Sequence, residues 1–255
     1  VLIDFPSDVS LAKIDFEYPE TVNIRGFKPM LQGHPGQIKK AAKMIQESKR
    51  PVVYTGGGVI ISGAAKELLE FVEKTKAPCT NTLMGLGGVP GTHPLFMGML
   101  GMHGTVYANR AVHECDLLIA VGARFDDRVT GDLKKFAPLA KIIHMDVDPS
   151  AISKNVKVDI PIVGDVKQIL AELNKIVSAP DTAEWLKQIE QWKKESPLRY
   201  HDNENVIHPQ FAIQKLNEIL GCDAIVATDV GQHQMWAAQY YKVSGPNQFL
   251  TSGGL

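Results

Sequence analysis

Short apolar runs alternate along this chain with segments whose apolar residues recur at helical spacing, and this alternation restricts the available folds more than any other feature. Pro51 to Thr55, Leu117 to Val121 and Lys141 to Met145 are largely apolar runs of five residues bounded by Gly, Asp or other polar residues. They are too short for helices and read as central parallel strands covered on both faces. Between and around them, Ile38, Ala41, Ala42 and Ile45 mark one buried helix face. Ala65, Leu68, Leu69 and Val72 mark a second, and Val166, Ile169, Leu170, Leu173, Ile176 and Val177 a third. Strands alternating with helices predict an α/β fold, a doubly wound parallel sheet with a Rossmann-like plan, over residues 26–180.

The flanks read as parts of other units. Val1 to Phe5 reads as a buried strand, and residues 1–25 as the end of a preceding domain with its connector. Residues 181–205 turn polar, and Trp185, Leu186, Ile189 and Trp192 form a thin apolar stripe, as expected of a linker helix lying on a neighbour. Residues 206–255 begin a second α/β unit. Its expected elements are a helix over Pro209–Leu220, a strand over Ala224–Thr228, a helix over Gln232–Tyr241 and a strand over Phe249–Thr251.

Composition narrows the function classes. With 27 Lys+Arg against 28 Asp+Glu and no run of like charge, the chain carries no electrostatic footprint for nucleic acid or an anionic membrane surface. The cysteines, Cys79, Cys115 and Cys222, are three in number and far apart, which fits neither a disulfide framework nor a zinc site. No apolar stretch approaches the roughly 20 residues that cross a bilayer, so a soluble protein in a reducing compartment is expected.

Ligands of open α/β sheets bind beyond the carboxyl ends of the strands, and the unusual loops of this chain fall there. Gly56-Gly57-Gly58 follows the first strand, with Ser62 available as a helix N-cap. Such a loop lets backbone approach a ligand closely or simply makes a tight turn. The dinucleotide fingerprint G-x-G-x-x-G is not met, because Ile61 stands where its last glycine belongs, and this disfavours an ordinary NAD site. Thr82-Leu83-Met84-Gly85-Leu86-Gly87-Gly88 and Leu100-Gly101-Met102-His103-Gly104 mix glycine with apolar side chains, suited either to a flat ring or to plain core packing. In Gly122-Ala123-Arg124-Phe125-Asp126-Asp127-Arg128-Val129-Thr130-Gly131, four charged residues lie within five positions at a strand end. Arg offers a planar fork for phosphate or carboxylate and Asp accepts from sugar hydroxyls, although a solvated charge cluster has the same composition. Asp146-Val147-Asp148-Pro149 ends the third strand, and Gly164-Asp165 opens the following helix; Asp165 suits a ribityl hydroxyl and a helix cap equally.

The strings YTGGG, TLMGLG, LGMHGT, GARFDDRVTG, the Asp146-Val147-Asp148-Pro149 turn and VGQHQMWAAQ occur in this order along nearly the whole chain. In this series the chain resembles the large catalytic subunits of acetohydroxyacid synthases. The resemblance implies three α/β domains, with residues 1–25 closing the pyrimidine-binding domain, 26–180 forming the central FAD-binding domain, and 206–255 starting the diphosphate-binding domain. It implies FAD, without a redox part in the main reaction, against Gly56, Gly57, Gly58, Thr82, Leu83, Met84, Leu100, Gly101, Met102, His103 and Gly104. The contacts continue through Gly122, Arg124, Asp126, Val129, Asp146, Val147, Gly164 and Asp165. Arg128 matches an arginine facing the 2-keto-acid pocket, and Val230, Gly231, Gln232 and His233 match residues beside thiamine diphosphate. The string around His233 is what separates it from an ordinary surface histidine.

The implied activity is decarboxylation of pyruvate and carboligation of its two-carbon unit to pyruvate or 2-ketobutyrate, in branched-chain amino-acid biosynthesis. A homodimer or tetramer of the full-length subunit, a small regulatory subunit, and a bacterial-type cytoplasmic or an organellar location follow from the same resemblance. The family's catalytic glutamate and the loop that holds Mg2+ fall outside residues 1–255, so the segment alone is expected to be inactive. Another thiamine-diphosphate carboligase or decarboxylase, or a non-catalytic nucleotide-binding module, is the alternative.

Overall fold

A computed structural model describes residues 4–22, 29–201 and 205–253. Its elements in chain order begin with α1 (Ser7–Leu11), α2 (Pro35–Glu47), β1 (Pro51–Thr55), α3 (Gly57–Ile61), α4 (Ala65–Thr75) and β2 (Cys79–Asn81). They continue with β3 (Phe96–Met99), α5 (Val106–Glu114), β4 (Leu117–Val121), α6 (Asp127–Thr130), β5 (Lys141–Asp146), β6 (Ile160–Val163) and α7 (Val166–Ile176). Last come α8 (Ala183–Glu195), α9 (Pro209–Leu220), β7 (Val226–Ala227), α10 (Gln232–Tyr240) and β8 (Phe249–Leu250).

Six parallel strands form one sheet in the order β3-β2-β1-β4-β5-β6. Chain order therefore reverses between β1 and β4, which makes that gap the switch point of a doubly wound sheet and confirms the expected fold class. Alternate residues of each strand serve opposite faces. Val53, Ile119, Ile143 and Ile162 are buried with Ile38, Ile45, Leu68, Phe71, Ile169 and Leu173 of α2, α4 and α7. Val52, Tyr54, Leu118, Ala120 and Ile142 are buried with Ala108, Ala111 and Val112 of α5 and with Trp185, Ile189 and Trp192 of α8. Both faces are dry, which explains the near-continuous apolar strands.

The expected linker helix thus lies on the second face of this same sheet. Trp185 and Trp192 meet edge to face at 5.6 Å, and the indole N–H of Trp185 donates to the Pro51 carbonyl at 3.1 Å, fastening α8 to the start of β1. Burying such side chains contributes about 1.5–3 kcal/mol each.

Two expectations need correction. Of the strand read at Val1–Phe5, residues 1–3 lie outside the described residues, while Phe5 is exposed and belongs to no element; no strand among the described residues pairs with it, and α1 follows instead. Ser62 does not cap the start of a helix. The single-turn α3 occupies residues 57–61, so Ser62 is its C-cap, and α4 begins after Ala64 without a side-chain cap. In the second unit β7 and β8 pair in parallel, with β7 shorter than the predicted strand.

Candidate functional site

The switch point is built from backbone against backbone. Gly56 N–H donates to the Val121 carbonyl and Gly58 N–H to the Gly122 carbonyl, both at 3.0 Å, so the β1 and β4 ladder continues into the loops. A Cβ on Gly58 would stand 2.7 Å from Gly122 Cα, and one on Gly122 would stand 2.7 Å from Gly58 Cα. Two chains approach this closely only where neither carries a side chain. Ile61, at the place of the missing third glycine, is exposed on the one-turn α3, so no close helix-to-strand packing demands glycine there.

From Gly122 the chain forms an arm across the strand ends. Asp126 caps α6 by accepting from Arg128 N–H at 3.2 Å and pairs with the Arg124 guanidinium at 3.3 Å. Arg124 and Arg128 side chains are 77% and 76% exposed, so both forks remain available to an anionic ligand. Arg128 stands 3.9 Å from Asp127, an exposed pair that contributes little stability. Beneath the arm, burial pushes the Tyr54 phenol far up; Asp126 adds to the rise and Arg124 opposes it. Its hydroxyl is buried without a hydrogen-bond partner.

The other strand ends add carboxylates and glycine loops. Asp146 accepts from Asp148 N–H at 2.9 Å, and hydrogen bonds from Ser150 hold the exposed Asp148 carboxyl below its usual range. Val147 beside it is half exposed. Gly164 donates to the Asp146 carbonyl, and Asp165 caps α7 through Lys167 and Gln168 N–H groups at 3.0 and 3.2 Å, so the capping reading of Asp165 is realised. Thr82 N–H donates to the Thr55 carbonyl at 2.9 Å, Leu83 to Gly85 form a 3-10 turn, and Met84 is partly exposed. The Leu100–Gly104 turn lies against α6, with Met102 N–H donating to the Arg128 carbonyl at 3.1 Å and Gly101 packed on Val129. Asn109 clamps Gly101 from both sides, its Oδ1 accepting at 2.8 Å and its Nδ2 donating at 3.0 Å.

Gly56–Gly58, Thr82–Met84, Leu100–Gly104, Gly122–Val129, Asp146–Val147 and Gly164–Asp165 therefore all lie at the carboxyl edge of one sheet. Val230, Gly231, Gln232 and His233 belong to the second unit, at the start of α10, with Gly231 at φ +156 and Gln232 and His233 exposed. Sequence reasoning missed Gln234. It is buried and donates to Thr251 Oγ1 at 2.6 Å and to the Ser252 carbonyl at 2.8 Å, holding the segment after β8. A cavity of about 410 Å³ adjoins this edge, lined by His103 of the Leu100–Gly104 turn, by Met99, Thr105 and Tyr107, and by Ala238 to Val243.

Fold and site together define a class: a doubly wound domain whose switch point is glycine backbone packed on glycine backbone, with guanidinium and carboxylate groups at the same strand ends, has the plan of a nucleotide-binding α/β sheet. The thiamine pyrophosphate enzyme central domain matches residues 38–173, and the C-terminal TPP binding domain of the same enzymes matches residues 229–255; the chain belongs to this family. Among curated proteins it is similar to a probable acetolactate synthase large subunit of Methanocaldococcus jannaschii, at 51% identity over 100% of this chain and 45% of the relative. The acetolactate synthase large subunit of Buchnera aphidicola is 45% identical and acetolactate synthase isozyme 3 large subunit of Escherichia coli 44%, each over 100% of this chain and 46% of the relative. The chain thus spans about half the length of the curated relatives it matches. Among the described residues, no helix is long and apolar enough to cross a membrane.

Proposed function

We propose that this chain is the flavin-bearing centre, with part of the thiamine-diphosphate-binding unit, of an acetolactate synthase large subunit. The observation that carries the reading is the glycine-built switch point with its Arg124–Asp126 pair, in a chain whose whole length is 44–51% identical to three such subunits. The crevice fits FAD. Beside the closed Gly58–Gly122 contact the Arg124 fork supplies the counter-charge for a pyrophosphate, and Asp126, Asp146 and Asp165 stand at strand ends where ribityl and ribose hydroxyls need acceptors. Met84, Met102 and Val129 offer apolar contact to a flat ring.

When bound, thiamine diphosphate supplies the electron sink for loss of CO2 from a 2-keto acid. Val230, Gly231, Gln232 and His233 flank that cofactor at the start of α10, where unpaired N–H groups favour its phosphates. Arg128 pairs with the 2-keto-acid carboxylate and orients pyruvate and its partner, pyruvate or 2-ketobutyrate. The assembly is a homodimer or tetramer with a small regulatory subunit, in a bacterial-type cytoplasm or an organelle.

The test is to purify the full-length polypeptide, release its flavin by denaturation, and assay acetolactate as acetoin after acid decarboxylation. FAD release and acetoin formation are expected. Competitive binding of NAD without FAD would sink the reading of the central unit.

A further inference from the structure

His144 is fully buried in the sheet beneath the Gly122–Asp126 arm, and nothing in the proposed site uses it. Tyr54 on β1 pairs in register with Ala120 on β4, and Ala120 pairs with His144 on β5, so these residues form a row along one sheet face. Ala120 leaves a gap in the row. Phe125, folded back from the arm, fills it with ring centroids 5.6 Å from Tyr54 and 5.0 Å from His144, the latter edge to face at 83°. Phe125 reaches the gap with φ at +55, an uncommon value for a bulky residue, which marks a backbone held by its surroundings.

His144 Nε2 lies 2.8 Å from the Ala123 carbonyl oxygen. A carbonyl only accepts, so Nε2 carries the hydrogen of this bond. The ring's Nδ1 is buried without a hydrogen-bond partner, and the Asp146 carboxylate is 3.7 Å from Nε2. An apolar side chain of similar size would fill the position without burying an unpaired nitrogen, so packing alone does not account for an imidazole here.

We propose that His144 is a positioning residue for the cofactor arm. Its Nε2–H fixes the Ala123 carbonyl and its ring seats Phe125, so the backbone of residues 123–126 presents Arg124 and Asp126 to the ligand already oriented. The ligand part of this inference rests on the flavin reading above; the latch on the arm does not.

The experiment compares His144→Gln, His144→Leu and His144→Asn in the full-length polypeptide. A Gln amide nitrogen reaches about as far as Nε2, an Asn nitrogen only about as far as Nδ1, and Leu donates nothing. Two readouts are taken on flavin-free protein: the FAD dissociation constant by flavin fluorescence, and the rate of tryptic cleavage after Arg124 and Arg128, mapped by mass. Loss of the bond is expected to weaken FAD and speed cleavage about tenfold in the Leu and Asn variants, with Gln within about threefold of wild type. Gln as impaired as Leu, or Leu indistinguishable from wild type in cleavage, overturns the proposal. If wild type takes up no FAD, the flavin reading fails and the cleavage rates still decide the latch. If the Leu variant does not fold, Gln against Asn decides it.

Discussion

Gly122→Ala tests the close approach at the switch point, because alanine there meets two separate costs. At φ +59 the backbone is left-handed, which costs a non-glycine residue roughly 1–2 kcal/mol. The new methyl would also stand 2.7 Å from Gly58 Cα, 2.9 Å from Gly58 C and 3.0 Å from Val59 N. All three are backbone atoms that cannot rotate aside, so overpacking adds about 1–3 kcal/mol. Gly63 supplies the control: its φ is +64, and nothing lies within 4 Å of an added Cβ, so Gly63→Ala carries only the first cost. The expected losses are about 2–5 kcal/mol for Gly122→Ala and about 1–2 kcal/mol for Gly63→Ala. Urea unfolding reads the difference. With a slope of about 3 kcal/mol per molar, Gly122→Ala lowers the midpoint by about 1 M and Gly63→Ala by about half that or less. If Gly122→Ala proves no more costly than Gly63→Ala, the collision does not exist and the switch point is not packed as described.

Asp165→Ala is expected to cost about 1 kcal/mol by removing the α7 cap, with Asp165→Asn recovering most of it. Flavin content in the same samples separates the roles, since a loss of FAD in a stable Asn variant reveals a ligand contact beyond the cap. Arg128→Ala is expected to lower kcat/KM for 2-keto acids by about 10- to 100-fold at unchanged flavin content, the size of a lost charged hydrogen bond; unchanged kinetics would remove Arg128 from the substrate pocket. Burial pushes the Cys79 and Cys115 thiols up to about 12, so in the native protein neither should react with a thiol reagent at pH 8, and rapid labelling of either would contradict the packing. The sign of the linked stability follows: unfolded thiols ionise from their ordinary value of 9.0, the folded ones stay protonated, and stability contributed below that value is lost as pH rises toward about 12. Melting temperature should therefore fall above pH 9, less so in a Cys79→Ala, Cys115→Ala variant.

The central strands were legible because burial on both faces leaves nearly every position apolar, as in Leu117 to Val121. The edge strands were not. β3 carries Gly98 and β6 carries Pro161, residues that weaken a strand signal but are tolerated where only one neighbour must be paired. The stripe of α8 was legible, while the surface receiving it was not, since a helical period names a buried face without naming its partner. The glycine and charge motifs gave the contents of the strand-end loops. Their internal geometry depends on partners distant in sequence: Asn109 clamping Gly101, Gln234 holding Thr251, His144 under Ala123. No local pattern encodes such pairs, and the φ of Phe125 follows from a gap at Ala120 that only the sheet register creates.

The loops at this sheet edge face two ways, and that division bears on how Arg128 is placed. Gly56, Gly58 and Gly122 close on one another within the central unit, whereas Leu86 and Met99 are buried with Ala238 of α10, and Gln239 donates to the His103 carbonyl at 2.8 Å. The turn that receives α10 also binds the arm, through Met102 N–H on the Arg128 carbonyl at 3.1 Å. Arg128 N–H in turn donates to Asp126, the partner of Arg124. The backbone of Arg128 is therefore held on one side by the arm and on the other by a turn that the second unit supports, while its guanidinium stays in solvent. A cation anchored at its backbone by both units and free at its tip is placed in advance at the junction of the two units, where its guanidinium can still turn to meet a carboxylate.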